Sequence, residues 1–169
     1  AISKRAIVIG LVITAVISIL IALFIILEIP IVKMNGEEEV VISYDREYVE
    51  KGVEAYTKLK SINDKVEIVG KVDTSKLGEY EIIYKVPFLG KYKEYKIRVR
   101  VVDDKCPVLK LEGNENCEQS YGVDFEEPGF QANDNYDGDI TDKVTKEKID
   151  IDENNYKIQY KSIDSSGNQ

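Results

Sequence analysis

The pattern of hydrophobic and polar positions divides the chain into two regimes. Residues 6–27 form a run of twenty-two residues without a charge, bracketed by Lys4 and Arg5 before it and by Glu28 and Pro30 after it. A helix of that length spans about 33 Å at a rise of about 1.5 Å per residue, enough to cross the hydrocarbon of a bilayer. Thr14 and Ser18 are the hydroxyls inside the run, and each can bond back to its own helix backbone. The run exceeds the apolar core of a secretory signal peptide, and Leu27-Glu28-Ile29-Pro30 offers no small-residue cleavage site. The pattern predicts an uncleaved signal-anchor, a single transmembrane helix over residues 6–27.

Beyond Pro30 the period changes to two. In one segment Tyr80, Ile82, Tyr84 and Val86 share a face while Glu81 and Lys85 take the other. In the next, Tyr95, Ile97, Val99 and Val101 stand opposite Lys96, Arg98 and Arg100. Alternation of this kind predicts antiparallel strands with one face in the core and one in water, and Pro87 and Gly90 mark the hairpin between them. Residues 40–44 and 66–69 read as shorter strands, and 58–65 as a polar connection. Residues 28–38, with the Asn35-Gly36 turn signal and three consecutive Glu, read as a juxtamembrane linker.

The pattern then repeats. Phe125-Glu126-Glu127-Pro128-Gly129-Phe130-Gln131-Ala132 matches Tyr48-Val49-Glu50-Lys51-Gly52-Val53-Glu54-Ala55 at an offset of 77. Tyr156-Lys157-Ile158-Gln159-Tyr160-Lys161 matches Tyr80-Glu81-Ile82-Ile83-Tyr84-Lys85 at an offset of 76. An internal repeat of this length predicts two copies of one small β-domain in tandem, over residues 39–103 and 104–169. Tyr80, Tyr84, Tyr156 and Tyr160 fall on the inward phase and read as core. The strand of residues 92–102 has no second copy before Gln169, so the expectation is a second domain lacking its last strand, in a fragment of a longer protein.

Charge sets the orientation. Lys4 and Arg5 precede the apolar run, whereas Lys33 and the acids Glu37, Glu38 and Glu39 follow it. The positive-inside rule leaves residues 1–5 as a cytoplasmic stub and places the remainder outside. Because the chain starts at Ala1 rather than Met, a few further cytoplasmic residues are expected before it. A net charge of -8 argues against nucleic acid as a partner, and the absence of His removes imidazole bases and the usual zinc sites. The strip of Tyr and basic residues over 91–100 reads as the solvated face of a strand, with weak contact to cell-wall polymers as its only candidate binding role.

Candidate chemistry is sparse, and no catalytic or cofactor-binding set emerges. Cys106 and Cys117 form a candidate disulfide in an oxidising compartment; strand register sets their separation, so the bonded and free states both stay open. Asp134, Asp137, Asp139 and Asp142, with Asn133 and Asn135, make an acidic loop that could offer oxygens to calcium. Asn133, Asn135, Asp137 and Gly138 fit the start of a helix-loop calcium signature, but Val144 stands where a bidentate Glu belongs. At an offset of 77, Lys60 and Ile62 occupy the places of Asp137 and Asp139 in the first copy, which favours an ordinary turn over a metal site. Asp137 and Asp139 as an acid/base pair fail because such carboxylates flank a substrate from separate elements.

The second copy carries Pro107-x-Leu109-x-Leu111-x-Gly113, Glu127-Pro128-Gly129-Phe130-x-Ala132-x-Asp134, Asp137-Gly138-Asp139-Ile140-Thr141, Tyr156-x-Ile158-x-Tyr160 and Asp164-Ser165-x-Gly167-Asn168. In that order these resemble the bacterial Ig-like domains of the DUF5011 type, related to hyalin-repeat modules. The first copy resembles the same family through Glu50-x-Gly52-x-x-Ala55 and Val72-Asp73-Thr74-Ser75-Lys76-x-Gly78-x-Tyr80-x-Ile82-x-Tyr84, without the Asp-Gly-Asp element. The resemblance implies an all-β architecture of tandem Ig-like sandwiches behind one transmembrane helix. It implies an extracellular spacer of a Gram-positive cell-surface protein, often placed before a cell-wall enzyme such as a polysaccharide deacetylase. The alternative is a module that binds wall glycan or serves adhesion.

Overall fold

The computed structural model describes residues 3–120 and 122–169; Ala1 and Ile2, at the start of the expected cytoplasmic stub, lie outside the described residues. The chain forms one long apolar helix followed by β-strands, and it separates into two compact units, Ala1–Val101 and Val102–Gln169.

Helix α1 covers Lys4–Leu27. Ser3 caps it, its Oγ accepting from the Ala6 N–H at 3.2 Å, which satisfies one of the donors that a helix start leaves open. At the other end the Glu28 N–H closes onto the Phe24 and Ile25 carbonyls, and Pro30 cannot continue the helix. Thr14 Oγ1 donates to the Leu11 carbonyl and Ser18 Oγ to the Thr14 carbonyl, both at 2.9 Å, so the run's two hydroxyls find partners inside the helix. None of the twenty-four residues is buried. The helix is long and apolar enough to cross a membrane, a length and composition that a signal sequence can share.

The first unit is a two-sheet sandwich. Strands β1 (Ile31–Met34) and β3 (Val53–Tyr56) pair antiparallel, while β2 (Glu39–Ser43), β6 (Lys91–Val102), β5 (Gly78–Phe88) and β4 (Glu67–Val69) form a four-stranded sheet in that order. The β5–β6 hairpin supplies the core. Ile82, Tyr84, Val86, Ile97, Val99 and Val101 point inward and are at most 4% exposed, while Glu81, Lys96, Arg98 and Arg100 face solvent, as the alternation predicts. Between β4 and β5, Gly70 (φ +106°) lies so close to the neighbouring chain that an added Cβ would sit 2.1 Å from the Glu81 carbonyl oxygen.

Two expectations for this unit need correction. Residues 31–34 are not linker: Val32 packs on the Ala55, Ile62 and Val86 cluster, and Met34 on the Ile82, Tyr84, Ile97 and Val99 cluster. Exposed and half-buried positions alternate along the strand, but Ile31 and Val32 are adjacent apolar residues close behind the apolar run, so the sequence carries no period-two signal there. The hairpin turn is Leu89-Gly90, both at positive φ, while Pro87 lies inside β5 opposite Tyr92. Proline is tolerated there because β4 pairs only with residues 83–85, so no ladder partner needs a donor on its outer side.

The second unit repeats the registers of the first. Strand β7 (Val108–Leu111) pairs with β8 (Phe130–Asp134), Val108 opposite Asn133, just as Ile31 stands opposite Tyr56. Strand β10 (Thr145–Asp150) pairs with β11 (Tyr156–Lys161), Thr145 opposite Lys161, matching Glu67 opposite Lys85. Strand β9 (Gly138–Asp139) adds to β8. Before β4 and β10 the chain makes the same one-turn 3₁₀ helix, Asn63–Lys65 and Thr141–Lys143. Each is preceded by a buried isoleucine, Ile62 and Ile140, whose N–H donates to the Ala55 or Ala132 carbonyl at 2.9 Å. Ile62 therefore corresponds to Ile140 and not to Asp139; the second copy carries one extra residue in this loop. Tyr156 is also not core: it is 42% exposed, with the Lys148 ammonium 4.2 Å from its ring centre.

The repeated glutamate has a structural task in both copies. Glu50 accepts from the Tyr84 hydroxyl, from Tyr48 Oη at 2.8 Å and from the Gly52 N–H at 3.1 Å; Glu127 accepts from Tyr160 Oη at 2.8 Å and Lys146 Nζ at 2.9 Å. Burial pushes the Glu50 carboxyl up, but the bonds from Tyr84, Gly52 and Tyr48 outweigh it and hold the group below its ordinary value of 4.5. Burial first, and the Glu50 carboxylate second, raise both tyrosines above their ordinary value of 10.0. Replacing Tyr84, fully buried, by Phe removes a hydrogen bond to a charged group and is expected to cost about 1.5–3 kcal/mol in urea unfolding of the first unit. A glutamate with a lowered folded pKa stabilises above 4.5 and loses that contribution as pH falls; tyrosines with raised values stabilise below 10.0 and lose it as pH rises. The urea midpoint should therefore decline on both sides, and Glu50→Gln should flatten the acid side.

Candidate functional site

The second unit draws its acidic residues together near one end of β8. Asp103, Asp134 and Asp164 are 7%, 8% and 6% exposed, and one carboxylate oxygen from each lies within 4.8 Å of the others. They come from three segments: the start of the unit, the last residue of β8, and the turn after β11.

Each is placed by local hydrogen bonds. Asp134 Oδ1 accepts from the Tyr136 and Asp137 N–H groups, both at 2.8 Å, so the carboxylate caps the turn leaving β8. The equivalent in the first copy is Thr57, whose single hydroxyl oxygen accepts from the Leu59 and Lys60 N–H groups at 3.2 Å. One oxygen is enough for the turn. Asp164 Oδ1 accepts from the Ser166 N–H at 2.9 Å and the Asn168 N–H at 2.8 Å, and its Oδ2 from Asn168 Nδ2 at 2.8 Å; Gly167 at φ +92° closes this loop. Asp103 Oδ1 accepts from Asn135 Nδ2 at 3.3 Å and the Lys105 N–H at 3.4 Å, and its carbonyl from Asn168 Nδ2 at 3.3 Å.

The electrostatics of this arrangement are unbalanced. Asp103 Oδ2 and Asp134 Oδ2 are buried without a hydrogen-bond donor, and among the described residues no Lys or Arg forms an ion pair with any of the three acids. Two like charges within 4.8 Å repel by about 3 kcal/mol or more at an effective dielectric constant of about 20. Burial pushes the Asp164 carboxyl up, but the bonds from Asn168, Gly167 and Ser166 outweigh it and keep it below the usual carboxylate range.

The other acids of the loop are committed elsewhere. Asp137 accepts the Ser165 N–H and hydroxyl, both at 2.6 Å, which ties the Asp164 turn to the β8 turn. Those bonds from Ser165, with Lys143 4.0 Å away, lower its pKa. Asp139 Oδ1 accepts from the Thr141 N–H at 2.9 Å, and bonds from Thr141 lower its pKa too; Asp142 sits exposed in the 3₁₀ turn. Of the four sequence candidates, Asp134 alone joins the convergent set. Asp164 stands in the Asp-Ser-x-Gly-Asn motif, where the sequence suggests no role for it, and Asp103 falls within the first expected domain, residues 39–103. The compact units instead divide after Val101, which gives Asp103 to the second. Cys106 and Cys117 are both exposed and free, and Cys117 Sγ donates to the Asn114 carbonyl at 3.3 Å. Neither lies on a paired strand that would hold it opposite the other.

Two paired-sheet units of matching register define an Ig-like class, and comparison with known proteins agrees. The family described as bacterial surface protein, Ig-like domain, matches residues 32–101 and 109–169, and the chain belongs to that family. A crystal structure of a lipoprotein from Bacteroides thetaiotaomicron is similar over 46% of this chain, at 27% identity and a TM-score of 0.43; the matched part is 39% of that protein's length. No curated protein matches the chain. The free thiols give a direct check: native, unreduced protein should react with about two equivalents of Ellman's reagent per chain. A value near zero would mean that the cysteines are bonded to each other.

Proposed function

We propose that α1 stays in the bilayer as an uncleaved anchor, and that the two Ig-like units stand outside it as a non-catalytic spacer at the bacterial surface. The observation that carries this reading is the helix itself: twenty-four residues, none of them buried against protein. Leu11 is 65% exposed, Leu20 60% and Phe24 57%, surfaces that water disfavours and hydrocarbon accepts. Lys4 and Arg5 at its start, against the acids Glu37, Glu38 and Glu39 beyond it, orient the N-terminus to the cytoplasm. Membership of a bacterial surface family supports an outward position for the remainder.

Cys106 and Cys117 are the only thiols in the chain, and both lie in the second unit. A membrane-impermeant maleimide should label them as fully on intact cells as after lysis; labelling that requires lysis would overturn the orientation. The detergent-solubilised chain should show no saturable retention on purified cell-wall sacculi. Saturable retention would replace the spacer by a wall-binding module.

A further inference from the structure

We propose that Asp103, Asp134 and Asp164 form a calcium site internal to the second unit. Acidic turns are common without a metal, and two observations separate this cluster from them. The first is the pair of orphaned oxygens, Asp103 Oδ2 and Asp134 Oδ2, shut away from water in residues more than nine-tenths buried. A buried carboxylate oxygen without a donor is destabilising unless something positive meets it. The second is the comparison between copies. At the place of Asp134 the first unit has Thr57, and its one oxygen makes both turn bonds. The fold uses Asp134 Oδ1 in the same way, so Asp134 Oδ2 is surplus to the turn.

The donor set selects the metal. All three side chains offer hard oxygen, and the chain contains no His to favour zinc or another transition ion. The Asn135 amide already reaches Asp103 at 3.3 Å, and a half-turn of that amide presents its oxygen in the same place. Calcium replaces its hydration shell with six to eight oxygens in a tolerant geometry, whereas magnesium keeps several waters in a strict octahedron. A site walled by three residues this buried has little room for those waters, which favours calcium. A cation here would join the start of the unit, the end of β8 and the turn after β11. Its binding would therefore stabilise the second unit as a whole.

The test uses the full chain in non-ionic detergent, stripped by chelator and then titrated with calcium chloride in a calorimeter, with thermal unfolding followed in parallel. One calcium per chain is expected, with a Kd on the order of 0.1–1 mM, the range of extracellular modules. Calcium at about ten times Kd should raise the unfolding midpoint of the second unit by several degrees, and magnesium by clearly less. Asp103→Asn and Asp134→Thr should each weaken binding about tenfold or more and abolish the shift, while Asp139→Asn binds as the parent does. Asp134→Thr copies the residue that caps the same turn in the first unit, so it removes the ligand and keeps the fold. If that variant nevertheless loses its β-sheet circular dichroism, Asp103→Asn decides alone. No heat up to about 10 mM calcium with an unchanged midpoint overturns the site. Loss of binding in Asp139→Asn but not in Asp103→Asn overturns it equally, in favour of the exposed loop.

Discussion

A helix that buries none of its side chains sets the terms for everything that follows it. In α1 every Ile, Leu and Phe side chain is exposed except the half-buried Ile25, and each one left in water forfeits part of the about 1.5–3 kcal/mol that full burial brings. The sandwich of the first unit draws its core from β5 and β6, with Val32 and Met34 packed beside them, and it does not use the helix for that purpose. Under the proposed reading, lipid takes up the helix surface. The hydroxyls of Thr14 and Ser18 fit that environment because both are satisfied within the helix itself.

The two Ig-like units show how far one set of strand registers can be reused with different side chains. The Ile31–Tyr56 and Val108–Asn133 pairings recur, as do the 3₁₀ turns behind Ile62 and Ile140 and the tyrosine-to-glutamate bonds at Glu50 and Glu127. What differs is burial. The first unit holds Ile82, Tyr84, Val86, Ile97, Val99 and Val101 in its core, whereas the second buries Ala132 and Ile140 among its apolar residues. In the second unit, buried polar residues take a larger share: Asp103, Asp134, Ser162 and Asp164. Hydrogen bonds around carboxylates do there part of what aliphatic packing does in the first. This explains why an uncompensated oxygen matters more in the second unit than it would on an exposed turn.

Most of the architecture was legible because its signals are long or duplicated. Twenty-two uncharged residues define the helix, and the alternation from Tyr80 to Val86 and from Tyr95 to Val101 defines the hairpin that carries the first core. Short elements were not legible alone. Ile31–Met34 lies between the apolar helix and a polar turn and shows no apolar/polar alternation of its own, although Val108–Leu111, 77 positions on, has the same role and could have exposed it. Pro87 reads as a turn residue because sequence does not say where β4 stops. The candidate site was legible only at Asp134. Asp103 and Asp164 lie 31 and 30 residues from it, and only tertiary folding brings them within 4.8 Å. The acids that sequence grouped by proximity, Asp137 and Asp139, are held by Ser165 and Thr141.

The measurement that bears most directly on the account is the intact mass and N-terminal peptide map of the protein recovered from bacterial membranes. If α1 anchors the chain, peptides spanning Lys4–Leu27 remain covalently attached to the Ig-like units in the membrane fraction, and alkaline carbonate does not extract them. A mature protein that begins after Leu27 and washes free would show that the helix serves only to direct export, and that the Ig-like units reach the surface without it.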